Sequence, residues 1–198
     1  MIVKCFEQGI IDNNNYVVID GNEACLIDCT ACDAKMMDFI VQNGAELKFI
    51  LLTHGHFDHI LGLAEWQEKY HTPAFVHEDD LSEVQNCNTT LKMFGMRPIK
   101  IPHIDKTFKD GDVFKVGNVS LSVHHTPGHT PGSVCFATDK ILFSGDTLFC
   151  MGRGRTDLPG GDEVTLIKSL KSLFATFDGD TKVYPGHGMS TTIGNESF

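Results

Sequence analysis

Four side chains able to ligate a metal stand between positions 54 and 59, in the run Thr53-His54-Gly55-His56-Phe57-Asp58-His59. They directly follow Phe49-Ile50-Leu51-Leu52, an apolar run whose composition predicts a buried strand. In extended backbone, residues two apart point the same way, so His54 and His56 can reach one ion together. Asp58 and His59 come after the bend and can face a second ion beside it. Neutral imidazole and carboxylate are the N and O ligands that zinc or iron accept. Singly, each residue has a structural reading: a histidine closing a strand, or Asp58 capping the next helix. Together, three imidazoles and a carboxylate crowded at one strand end have little structural purpose, and the metal reading takes precedence.

Three further positions come after strands and carry ligand chemistry. His129 sits in Thr126-Pro127-Gly128-His129-Thr130-Pro131-Gly132-Ser133, where proline and glycine on both sides set an irregular backbone. Asp146 leaves an apolar strand in Phe143-Ser144-Gly145-Asp146-Thr147, and His187 comes after the final strand in Tyr184-Pro185-Gly186-His187-Gly188. Alone, a turn histidine or a strand-end aspartate is structural more often than not. In this order, with His54-x-His56-x-Asp58-His59, the set resembles the metallo-β-lactamase-fold hydrolases from Thr53 to His187. That resemblance implies an α/β fold, a four-layer αββα sandwich of two mixed β-sheets flanked by helices, in one domain over residues 1–198. It implies two divalent metal ions, zinc first, with a zinc–iron pair or iron as the other choices. It assigns His54, His56 and His129 to one metal, Asp58, His59 and His187 to the other, and Asp146 to a bridge between them. An aspartate at 146, where some true β-lactamases carry cysteine, argues against antibiotic hydrolysis as the main task. His56, where flavodiiron relatives carry an acidic residue, argues against an oxygen-reducing di-iron site. His71, His77, His103, His124 and His125 match no ligand position and read as ordinary.

The charges dictate the chemistry. Two dications about 3.5–4 Å apart hold a shared water as hydroxide at neutral pH, so no serine or cysteine nucleophile is required. Asp58, as ligand and orienter of that hydroxide, and the bridging Asp146 are the catalytic candidates. Within the fold the chain resembles the glyoxalase II group, through residues 54–59, Gly145-Asp146 and Gly152-Arg153-Gly154-Arg155. The likeness implies hydrolysis of a small-molecule thioester, S-acyl glutathione-like, such as S-lactoylglutathione, with Arg155 contacting the glutathione moiety. Asp157 stands where typical members carry an aromatic, and Gly188-Met189-Ser190 lacks their tyrosine. The chain ends at Phe198 without their C-terminal helical domain, which resembles the short, single-domain bacterial type. Two other activities of the fold stay open. A persulfide dioxygenase shares Gly154-Arg155-Thr156-Asp157 and would hold one iron on His54, His129 and Asp146; the other alternative is a lactone or phosphodiester hydrolase.

The elements that must position these residues read as mixed α and β. Spans 2–6, 16–19 and 24–28 predict an antiparallel meander, with Asn13-Asn14-Asn15 and Gly21-Asn22 as turns. Residues 31–43 and 59–70 predict helices, the second facing the sheet with Leu63, Trp66 and Tyr70. Residues 73–77 predict a strand and 78–85 an acidic helical turn. Residues 86–100 lack clean periodicity, and Met93, Phe94 and Met96 pack under a loop or cover the site. Strands are expected within 105–125, at 133–137 and 140–144, and last at 182–184. The apolar stripe of 162–177 predicts the best helix, capped by Asp162.

A chain of 198 residues with 41% hydrophobic content suits one soluble domain. The net charge of −10 argues against nucleic acid or an anionic membrane as partner. No segment approaches the roughly 20 apolar residues of a membrane span, and the N-terminus lacks the pattern of a secretion signal. Seven scattered cysteines suggest reduced thiols in the cytoplasm, and the lone Cys29-x-x-Cys32 pair is a weak signal.

Overall fold

The computed structural model describes residues 1–197, and Phe198 lies outside the described residues. The chain opens on an antiparallel meander of β1 (Ile2–Gln8), β2 (Asn13–Asp20) and β3 (Glu23–Ile27). Helix α1 (Ala34–Gln42) starts at Asp33, whose side chain accepts from the Lys35 amide, and leads to β4 (Glu46–Leu51), parallel to β3. The short helices α2 (Phe57–Ile60) and α3 (Leu63–Tyr70) cross to β5 (Ala74–His77), parallel to β4. A 3-10 turn (Glu78–Asp80), α4 (Leu81–Gln85) and α5 (Cys87–Met93) precede β6 (Lys106–Phe108), parallel to β5. The first sheet is therefore mixed, in the order β1-β2-β3-β4-β5-β6.

The second sheet begins as an antiparallel run of β7 (Val113–Val116), β8 (Val119–His125), β9 (Val134–Ala137) and β10 (Ile141–Gly145). A small hairpin, β11 (Leu148–Phe149) with β12 (Gly152–Arg153), stands apart from it. Helix α6 (Glu163–Thr176), opened by Asp162 accepting from the Thr165 amide, returns the chain to β13 (Lys182–Pro185), parallel to β10. Strand β14 (Thr191–Thr192) closes the order β14-β13-β10-β9-β8-β7.

Three apolar layers hold the assembly together. Val17 and Ile19 of β2 face outward with Ile50, Met36, Ile40 and Trp66, while Tyr16 and Val18 face inward onto Leu51, Phe136 and Phe143. That alternation is the two-residue period of a strand buried on both faces. On the far side, Leu166, Leu170 and Leu173 of α6 cover Leu142 and Val183. The layers run helix, sheet, sheet, helix, the expected αββα sandwich of two mixed sheets.

Several local expectations are corrected. Asn13-Asn14-Asn15 do not turn; they open β2 and are buried, because partners distant in sequence satisfy their side chains and override turn propensity. The helix expected over 59–70 breaks after α2. Residues 29–32 cross it there: the Cys29 amide donates to the His59 carbonyl at 2.9 Å and the Gly62 amide to the Cys29 carbonyl at 3.1 Å. A Cβ on Gly62 would lie 2.4 Å from the Ala31 backbone, so only glycine permits the crossing. Helix α1 starts three residues later than expected, at Ala34, and the strand at 182–185 is not the last. Within 86–100, α5 sends Cys87 and Leu91 into the core.

Candidate metal centre

All seven predicted donors meet at one edge of the sandwich. His54 and His56 come just after β4, with Asp58 and His59 in the adjoining α2; His129 comes from the β8–β9 loop; Asp146 and His187 lie directly past β10 and the end of β13. Strands β4, β10 and β13 deliver them at their carboxyl ends, where open α/β sheets place ligand sites. One donor atom each from His54, His56 and His129 lies within 4.8 Å of the others, and the same holds for Asp58, His59 and His187 and for His54, His59 and Asp146. Asp146 spans the groups. Its Oδ1 is 3.4 Å from His59 Nε2, and its Oδ2 is 3.5 Å from both His129 Nε2 and His187 Nε2. Asp58 Oδ2 lies 3.4 Å from Nε2 of both His59 and His187.

Four of the five rings are aimed by a bond on the other nitrogen, while His56 Nδ1 lies 2.9 Å from His129 Nε2. His129 Nδ1 donates to the Arg155 carbonyl at 2.7 Å and His187 Nδ1 to the Ile11 carbonyl at 3.0 Å. His59 Nδ1 donates to Asp28 Oδ2 at 2.8 Å, and His54 Nδ1 lies 3.1 Å from Thr53 Oγ1. These contacts turn the Nε2 lone pairs of His59, His129 and His187 inward. Burial and then the crowd of imidazoles hold His54 well below the usual histidine range. Burial and His129 push His56 down to about 3. Both are neutral at pH 7, the form that ligates. For His59, burial alone would lower the pKa, but Asp28, Asp58 and Asp146 outweigh it and raise it. Asp58 and Asp146 stay below the usual carboxylate range despite burial, because histidines surround them.

The donor set fits a metal. His54 Nε2, His59 Nε2 and Asp146 Oδ1 are buried without a hydrogen-bond partner among the described residues, each at a cost of about 1–3 kcal/mol. They lie in one cluster, so cations placed among them would satisfy all three. Close packing preserves the cluster's shape. A Cβ on Gly186 would meet Asp146 Oδ1 at 2.2 Å and His59 Cε1 at 2.9 Å, so that residue has to be glycine.

Three functional residues escaped the sequence reading. Asp28, with φ +63° just past β3, accepts from the Thr53 amide, the Thr53 hydroxyl and His59, all at 2.8 Å. Asp80 accepts from the Gly55 amide at 2.8 Å, the Thr130 hydroxyl at 2.7 Å and the Gly132 amide at 2.6 Å, tying the His54–His56 segment to the His129 loop. Asn13 Nδ2 donates to Asp58 Oδ2 at 2.7 Å. Asp28 carried a usable signal, since it leaves an apolar strand as Asp146 does. Asn13 carried none.

The donors floor a cavity of about 540 Å³, to which His56, Asp58, His129, Asp146 and His187 contribute. Ile10, Ile11, Phe57, Phe94, Met96, Phe149, Leu158, Arg153 and Arg155 complete its lining. Phe94 and Met96, expected either under a loop or over the site, border the site. Arg155 lines the cavity. Away from it, His77, Asp79 and His125 bring donors within 4.8 Å. The rings of His77 and His125 stack at 4.2 Å and 15°, whereas those of His54, His56 and His129 cross at 76–90°. Parallel rings set their in-plane lone pairs side by side instead of on a common point.

A family model described as "Metallo-beta-lactamase superfamily" matches residues 9–187. The hydroxyacylglutathione hydrolase GloC of Haemophilus influenzae is 32% identical over 198 residues, covering 98% of this chain and 92% of that protein. The crystal structure of TTHA1623 in a di-iron-bound form superposes with a TM-score of 0.87 at 34% identity, covering 98% and 96% of the two chains. That of the BLEG-1 B3 metallo-beta-lactamase gives 0.88 at 32% identity, covering 98% and 95%. With the fold, the converging histidines and aspartates and these likenesses together, the chain belongs to the metallo-beta-lactamase superfamily of metal-binding hydrolases.

Proposed function

We propose that this protein is a two-metal hydrolase of thioesters, of the glyoxalase II type, with S-lactoylglutathione as the reference substrate. The observation that carries the reading is the pair of compact donor groups with Asp146 reaching into both. His54, His56 and His129 would hold one ion, Asp58, His59 and His187 the other, and Asp146 would touch each. Zinc is the first choice, with iron or a zinc–iron pair as the alternative; the di-iron form of TTHA1623 supports the alternative. When bound, such a pair supplies hydroxide at neutral pH and polarises the scissile carbonyl.

The chain's own groups do the rest. Asn13 anchors one carboxylate oxygen of Asp58, which sets that side chain to orient the attacking oxygen. The histidine tautomers are held by Asp28 and by the carbonyls of Ile11 and Arg155. A thiolate leaves readily near neutral pH, so the absence of a dedicated acid among the residues lining the cavity is no obstacle. The persulfide dioxygenase alternative needs only His54, His129 and Asp146, and leaves His56, Asp58, His59 and His187 without a task. All seven cysteines are unpaired, which supports a reducing cytoplasmic setting.

The test combines elemental analysis with turnover. Protein purified without added metal is expected to carry two ions per chain and to hydrolyse S-lactoylglutathione. One iron per chain with oxygen uptake on glutathione persulfide would replace this reading. Asp146→Ala is expected to lose metal and nearly all activity, and His77→Ala neither; full activity in Asp146→Ala rules out the shared-ligand role.

A further inference from the structure

Both arginines on the rim of the catalytic cavity are already paired. Arg155 binds Asp157 through two bonds, Nε to Oδ1 at 2.6 Å and Nη2 to Oδ2 at 2.7 Å, and Arg153 Nη2 donates to Glu163 Oε1 at 2.7 Å. Exposed pairs such as these contribute little stability, but each cancels its own charge, so neither leaves a net cation over the cavity. Much of the remaining lining is hydrocarbon. Ile10 and Ile11 reach it from the β1–β2 connection, and Phe94 and Met96 from the segment after α5. Ile10 is 75% exposed and Phe94 47%. Large apolar side chains held open to solvent along a concave site mark where an apolar ligand docks. The wall is also joined to the metal cluster, because the Phe94 ring packs 5.4 Å from that of Phe57, the neighbour of Asp58.

Resting on the thioesterase reading, we infer that this cavity selects thioesters carrying a hydrocarbon group of several carbons, laid against Ile10, Ile11, Phe94 and Met96. The doubly carboxylated glutathionyl group is the poorer fit. Each of its carboxylates would have to displace Asp157 or Glu163 from its arginine, or remain in water. A hydrocarbon gains from the wall without disturbing either pair.

The experiment is calorimetric titration of the metal-loaded protein with non-hydrolysable thioethers: S-alkyl N-acetylcysteamines from methyl to octyl, and S-methylglutathione. Kd is expected to fall up to about fourfold for each added methylene until the wall is filled, the free energy of burying a CH₂. The double variant Ile10→Ser/Phe94→Ser should flatten that dependence, and Asp157→Ala should tighten S-methylglutathione several-fold by freeing Arg155. Equal Kd for the methyl and octyl compounds, or tighter binding of S-methylglutathione than of the octyl compound, would overturn the inference. Turnover separates it from the reaction on which it rests. Hydrolysis of S-lactoylglutathione with a flat alkyl series removes the apolar preference and keeps the reaction. A steep series with no hydrolysis of octanoyl-N-acetylcysteamine removes the reaction and keeps the apolar wall.

Discussion

Asp28 is buried, takes three hydrogen bonds, and sits in the left-handed backbone region that non-glycine residues seldom occupy. Strain of this kind persists where the surroundings over-determine it, and here Thr53 and His59 do so. The carboxylate keeps the proton of His59 on Nδ1 and leaves Nε2 free to ligate. Asp28→Ala should therefore weaken binding of the ion nearest His59 by roughly 10–100-fold, measured by competition with a chromophoric chelator. Unchanged affinity would show that packing alone orients the ring.

Among the elements, β5 matters less for its length than for the 3-10 turn at its end, which carries Asp80. Asp80 clamps two segments that carry ligands but do not pair in a sheet, the turn after β4 and the β8–β9 loop. Removing the carboxylate strands the amides of Gly55 and Gly132, at about 1–3 kcal/mol each. Asp80→Ala is expected to lower Tm and metal affinity together, and Asp80→Asn to restore part of both; a drop in Tm with metal affinity intact would reduce Asp80 to a structural brace. His77, at the end of β5, stacks on His125 of β8 and so links the two sheets. Burial and then His125 lower its pKa, against Asp79, Asp80 and Glu78, which favour the charged form. The unfolded chain therefore takes a proton below about pH 6.5 that the folded one resists, and this contribution to stability declines as pH falls. Melting of His77→Gln should depend less on pH in that range than melting of the parent; identical slopes would refute the assignment.

For the whole molecule, the site is the seam between the sheets. Asn13 and Asn14 of the first sheet bond to the segment around β13 of the second: the Asn14 amide donates to the Gly186 carbonyl at 2.7 Å, and Asn14 Nδ2 donates to the Pro185 and Gly188 carbonyls. Metal bound across that seam ties both halves of the fold. An ion that binds the native state but not the unfolded chain adds about 2.7 kcal/mol at a hundred times its Kd, so chelation should lower Tm and zinc should restore it. An identical melt with and without chelator would mean that the cluster holds no ion in solution. The donors themselves were legible in the chain, because His54-x-His56-x-Asp58-His59 is a local pattern and His129, Asp146 and His187 each come after a strand or sit in a Pro-Gly loop. The strands and helices were legible through apolar periodicity, a short-range property of buried elements, and their stacking into a sandwich through the family resemblance. Only the tertiary structure brought Asn13, Asp28 and Asp80 to the site, since an asparagine run reads as a turn until distant carbonyls take its amide protons. It likewise broke the 59–70 helix, where a crossing backbone competes with the helix's own hydrogen bonds. Ligand identity is written in residue type and spacing; ligand orientation depends on partners far along the chain, and folding alone assembles them.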